Sequence, residues 1–187
     1  MRKSSVPLLT ALSLCFVVSM AAQDTSHDTK KDDSMQNCPM HQQHARAESH
    51  RAVVEKHGDQ AMGFPHDRTT HHFLLAPEGG MIAVTANDPN DRANTEAIRT
   101  HLSHIAVMFT SGDFSTPMFV HDEIPPGVTS MQLLKDAIRY HYEETPSGGQ
   151  VRIESKDPVA IAAIHDFLRF QITDHQTGDS LAVEAAH

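Results

Sequence analysis

The C-terminal two-thirds of this chain carries one pattern twice, and that repetition limits what it can fold into. One copy runs His71-His72-Phe73, Pro77-Glu78-Gly79-Gly80, Met81 to Pro89 and Ile98 to Asp113. The other runs Tyr140-His141-Tyr142, Pro146-Ser147-Gly148-Gly149, Gln150 to Pro158 and Ile164 to Asp179. Each has a ring-rich run, a Pro-x-Gly-Gly turn, an alternating run closing on Asp-Pro, an amphipathic run and Ser/Thr-Gly-Asp. What recurs in both copies builds the fold, and what stands in one copy only is the better candidate for function.

The spacing within each copy sets the elements. Phe73, Leu75, Ile82 and Val84 alternate on either side of Pro77-Glu78-Gly79-Gly80, which predicts a hairpin with a Gly-containing turn. Tyr140, Tyr142, Val151 and Ile153 repeat the arrangement. Ile98, Leu102, Ile105 and Phe109 then form a helical stripe stopped by Gly112, and Ile161, Ile164, Leu168 and Ile172 form another stopped by Gly178. The expectation is an α+β domain over 67–180, a duplicated ββα-ββα. It has a four-stranded antiparallel sheet with two helices packed on one face, related by a pseudo-two-fold. Repeat one spans 69–113 and repeat two 138–179. A linker over 114–137, stiffened by Pro117, Pro125, Pro126 and Gly127, carries a short helix near Met131 to Ala137. Asp113 and Asp179 read as local caps behind helix-ending glycines, and residues 181–187 as a disordered C-terminus.

The first 21 residues read as a secretory signal. Arg2 and Lys3 precede an apolar run from Val6 to Val18, and Ser19-Met20-Ala21 offers small residues for cleavage. Cys15 sits behind Leu14 inside the apolar run, which does not suit a lipoprotein signal; the alternative to cleavage is a retained N-terminal anchor. Removal of Arg2 and Lys3 makes the formal net charge of −9 more negative still. That balance argues against nucleic acid and, after cleavage, against an anionic membrane as partner. The reading is a periplasmic or secreted product whose one remaining cysteine is Cys38, a metal ligand, a redox-active thiol or an intermolecular link. Residues 22–66 are rich in Gln, Asp, Ser, Lys and His, and read as a flexible ligand-bearing tail with at most a short helix around Ala45 to His57.

Cys38-Pro39-Met40-His41-Gln42-Gln43-His44 is the sharpest local signal. It sets a thiol, a thioether and two imidazoles within seven residues, a mixture that favours Cu(I), Zn(II) or another soft metal. Further along, alternation places His71 on the apolar face with Phe73, and His72 on the opposite face with Leu74, Ala83 and Thr85. His141 is the repeat equivalent of His72, so the two could meet near the pseudo-two-fold as a symmetric site; otherwise both are solvent-facing strand residues. His101 and His104 stand i, i+3 on the first long helix with Met108 a turn further, either as a ligand pair or as packed rings. They align with Phe167 and Phe170, and His175 aligns with Phe109, which favours positions that want a flat ring. His121, in Met118-Phe119-Val120-His121-Asp122, has no counterpart, and the loop is either a soft-ligand site or an apolar lid. No haem-attachment motif, no His-Glu-x-x-His, no nucleophile elbow and no phosphate-cradling loop is present in the sequence.

Two resemblances accompany these residues. Cys38-Pro39-Met40-His41 resembles the short heavy-metal-binding segments of bacterial copper-efflux proteins, with Gln42 where those carry proline. Met62-Gly63-Phe64, Thr69-Thr70-His71-His72-Phe73, Gly79-Gly80, His101-Leu102 and Phe167 to Asp179 resemble a family of small exported His-rich bacterial proteins, a likeness spanning nearly all of residues 38–179. Some members carry an aspartate carbamoyltransferase label. The length and the phosphate loop such an enzyme needs are both missing from this chain.

The expectation is therefore an exported copper- or zinc-binding protein for sequestration, delivery or resistance. Its ligands would be drawn from Cys38, Met40, His41, His44, His71, His72, His101, His104, His121 and His141. A metal-dependent enzyme with a histidine site on the folded domain is the alternative. So is a non-catalytic module that dimerises through the outer sheet face or through Cys38.

Overall fold

The computed structural model describes residues 39–184. The signal-sequence reading, Cys38 and residues 185–187 lie outside the described residues. The chain is α+β, with four strands and five helices in the described part. The helices are α1 (Pro39–Met62), α2 (Arg92–Ser111), α3 (Ser115–His121), α4 (Val128–Leu133) and α5 (Pro158–Asp174). The strands are β1 (Thr69–Ala76), β2 (Gly79–Ala86), β3 (Ile138–Thr145) and β4 (Gly148–Ser155). Among the described residues no helix is long and apolar enough to cross a membrane.

The strands form one antiparallel sheet in the order β1-β2-β4-β3. Each hairpin turns on two residues, Pro77-Glu78 and Pro146-Ser147, and the glycines that follow belong to the strands. Their role differs from the turn expected of them. A Cβ on Gly79 would stand 2.1 Å from the carbonyl oxygen of Ile153 on β4, and one on Gly148 2.0 Å from that of Val84 on β2. The first glycine of each pair thus lets the two central strands of different hairpins approach, a contact absent from any local turn rule.

One hydrophobic core gathers Phe73, Leu75, Ile82 and Val84 from the first hairpin with Ile138, Val151 and Ile153 from the second. The apolar stripes of α2 (Ile98, Leu102, Ile105, Phe109) and α5 (Ala160, Ile164, Phe167, Leu168) complete it. Asp91 and Asp157 cap these helices at their N-termini, the latter accepting from the N–H groups of Val159 and Ala160. Gly112, at φ 84°, ends α2 as the stripe requires. Helix α5 holds its whole stripe but ends before Gly178, at Asp174, with the chain turning through Gln176 at φ 52°.

Asp179 is not a helix cap. Its carboxylate accepts from the Phe73 N–H at 2.9 Å, from His72 Nδ1 at 2.8 Å and from the Thr177 hydroxyl at 2.7 Å. The stretch expected as disordered begins ordered: the Glu184 N–H donates to the Leu75 carbonyl at 3.0 Å, and Arg169 to that of Leu181 at 3.1 Å. The C-terminal segment therefore covers backbone groups along the edge of β1, the usual remedy for an open strand edge. Replacing Asp179 with Ala leaves the Phe73 N–H without its partner. It should cost about 1–3 kcal/mol, read as a lower urea midpoint at unchanged slope; an unchanged midpoint would show the edge held by other means.

The largest departure from expectation lies before the sheet. Pro39–Met62 form one 24-residue helix, not a tail. Its apolar content is low, so docking rests on a narrow seam. Val54 is buried, His57 stacks on Phe119 with ring centroids 4.7 Å apart, and His57 Nδ1 lies 3.0 Å from the Phe119 carbonyl. His50 and Arg51 reach Asp174 and Gln176 at and just beyond the end of α5. These partners sit 62 to 125 residues away in sequence, out of reach of a composition argument.

Candidate functional site

Where α1, β1, α2, α3 and the end of α5 converge, packing leaves a cavity of about 80 Å³. Four imidazoles, those of His71, His101, His121 and His175, stand around it with the Met62 thioether and the Gln171 amide. The rest of the wall is apolar, with Phe73, Ile82, Leu102, Phe109 and Phe167.

Strand alternation turns His71 inward, opposite Val84 on β2. Its Nε2 lies 3.2 Å from Met62 Sδ at the end of α1. Burial, and after it the charges of His101, His66 and His72, lowers the His71 pKa to about 4. His101 packs edge-on to Phe64 with centroids 5.8 Å apart, and burial followed by the charge of His104 lowers it to about 4. His175 follows α5; its ring is parallel to that of His71 within 3° at 6.3 Å and lies 5.6 Å from Phe73. Burial, then the charges of His121 and His71, lowers His175 to about 3. All three rings keep some surface open, yet desolvation dominates each shift. At neutral pH they are uncharged, and each offers a nitrogen lone pair to an electrophile.

His121 differs. It is 2% exposed, and both ring nitrogens face oxygens: Asp174 Oδ2 at 2.6 Å and Gln171 Oε1 at 3.1 Å. Both ring nitrogens are thus taken up by partners on α5. Gln171 Nε2 is buried without a partner beside it. Asp174 also accepts from His50 Nε2 of α1 at 2.8 Å. Burial alone would raise the Asp174 pKa, but the hydrogen bonds from His50 and His121 hold it below the usual carboxylate value. With both nitrogens engaged, His121 is a brace between α3 and α5 and is not placed as a ligand.

The other expected ligands scatter. Met40 and His44 are exposed on the first turns of α1, and His41 falls within the same helix. His104 is exposed, so the i, i+3 pair with His101 splits between solvent and interior. His72 and His141 lie on the outer sheet face, but they cannot form a symmetric site. Strands β1 and β3 are the two edges of the sheet, with β2 and β4 between them. Three strand spacings of about 4.8 Å separate the pair, roughly 14 Å across the sheet. His72 pairs with Asp179, and His141 Nε2 lies 3.4 Å from Glu143. Among the described residues no group of three or more His, Cys, Asp or Glu side chains is set to hold one metal ion.

Sequence reasoning left out Met62, His175, Gln171 and Asp174. His175 was legible only as a ring position, because alignment with Phe109 hides a nitrogen that the second copy alone possesses. Comparisons with protein families, with curated proteins and with solved structures return no match to this chain.

Proposed function

We propose that this is an exported protein, periplasmic or secreted, that binds a soft metal ion, copper before zinc, for sequestration or delivery. The observation that carries the reading is the convergence of His71, His101 and His175, kept neutral by burial, on one cavity with Met62. Neutral imidazoles and a thioether in a mostly apolar wall suit copper better than a hard cation, which needs carboxylate or carbonyl oxygens. We also take the scaffold to be a duplicated ββα unit with both long helices on one face of the sheet. The reciprocal contacts of Gly79 with Ile153 and Gly148 with Val84 support that view. Cys38, Met40, His41 and His44 then make a second, outer ligand group. At about 1.5 Å per residue, the 24-residue α1 holds Met40 some 30 Å from Met62.

The test is titration of the full-length protein with Cu(I) and Zn(II), with metal content measured after export. A tight Cu(I) equivalent that survives replacement of Cys38, Met40, His41 and His44 supports a site on the folded domain. Affinity no better than micromolar for either ion in the intact protein sinks the reading.

A further inference from the structure

Resting on that reading, we infer that Met62, His71 and His175 form one three-coordinate Cu(I) site where α1, β1 and the end of α5 meet. The donors come from three separate elements, and each is presented without help from a neighbour in sequence. Met62 closes α1, His71 is turned inward by β1, and His175 is held by its own backbone N–H, which donates to the Gln171 carbonyl at 3.0 Å.

Two distances support the assignment. Met62 Sδ and His71 Nε2 are 3.2 Å apart. Thioether sulfur is a weak acceptor, so a hydrogen bond is a modest reason to bury the pair. With metal–nitrogen and metal–sulfur distances of about 2.0 and 2.3 Å, the N···S edge is about 3.7 Å in a regular trigonal site and about 3.0 Å at a right angle, so this pair is spaced for a T-shaped three-coordinate set. The His71 and His175 centroids are 6.3 Å apart. Two imidazoles whose nitrogens each stand about 2.0 Å from one ion, opposite one another across it, have centroids roughly 6 Å apart, the two long arms of that T.

The donor set also selects. It contains no carboxylate and no thiolate, and it has three members where Zn(II) takes four. Phe64 and Phe73 flank the rings and limit water as a fourth ligand. His121 cannot enter the set while Asp174 and Gln171 hold its nitrogens. His101 lies on the other contact of Phe64 and is left as a packed ring.

The test uses the full-length protein, Cu(I) under a competing chromophoric chelator, and three variants: M62L, H71Q and H175Q. M62L conserves volume and removes only the sulfur. The expected result is one Cu(I) held in wild type, weakened at least tenfold in each variant, with Zn(II) binding unchanged. X-ray absorption of the copper-loaded wild type should show one sulfur and two nitrogen neighbours. Should a variant not fold, ¹⁵N resonances of the wild-type rings decide: Cu(I) must shift those of His71 and His175 and spare His121. Cu(I) binding untouched by the three variants but lost on replacing Cys38 and His41 overturns this site and leaves the broader copper reading standing. Zn(II) bound as tightly, with the same losses, overturns the selectivity. No Cu(I) uptake by any form overturns both.

Discussion

Lowering the pH from 7 to 5 is expected to strip about 4–6 kcal/mol from the stability of the metal-free protein. His71, His101 and His175 have pKa values of about 4, 4 and 3 in the fold, against 6.5 for a free imidazole. Their folded forms are therefore neutral where their unfolded forms take a proton. Stability is full above pH 6.5 and is lost as pH falls from there towards the folded values near 4. At pH 5 each ring stands 1.5 units below 6.5, worth about 2 kcal/mol at 1.36 kcal/mol per unit. The three do not add fully, because part of each shift is repulsion from another ring in the group. Surface ion pairs such as His66 with Asp59 contribute about 1 kcal/mol or less and do not offset this loss. Burial wins. Urea midpoints at pH 7, 6 and 5 measure the loss, and H71Q should remove about a third of it. A midpoint flat across that range would mean that the rings are solvated and the cavity is open.

The second large effect is steric. Gly148→Ala should cost about 3 kcal/mol or more and leave little folded protein at 37 °C. The added Cβ would stand 2.0 Å from the Val84 carbonyl oxygen and 3.1 Å from Thr85 Cα, both backbone atoms of the neighbouring central strand. Neither can move without parting β2 from β4, the junction that joins the two hairpins. Gly178→Ala is the control. Gly178 has φ 79°, and a methyl group added there would meet nothing within 4 Å, so only backbone strain applies, about 1 kcal/mol. Thermal denaturation of the pair should separate them by at least about 4–8 °C; equal losses would show that conformation, not close approach, is the reason for the glycines.

Much of the scaffold was open to reading from residue order. The alternation of Phe73, Leu75, Ile82 and Val84 defined the inward face of a hairpin, and those side chains are buried. The stripe from Ile98 to Phe109 defined a helix, and Gly112 its end. These succeed because period and capping are local and each residue carries its own share of the signal. Helix α1 was less legible. Its sequence is polar, and its docking relies on single contacts such as Val54, His57 on Phe119 and His50 on Asp174. The pairing of His72 with His141 failed for a different reason. Repetition says which positions are equivalent, but whether the hairpins meet by their first or their second strands is a matter of packing. Here the glycine-bearing strands meet, which sends both histidines to the edges.

The sequence by itself determined the strands, the two long helices and the inward and outward faces, because each is written within a few neighbouring residues. Only the tertiary structure decided which histidines belong together. His71 on β1, His101 on α2, His121 on α3 and His175 after α5 converge from positions spread along most of the folded domain. No short-range period links them. Their shared chemistry, three neutral rings beside a thioether and a fourth braced by Asp174, comes from burial. Burial belongs to the packed whole and to no segment of it.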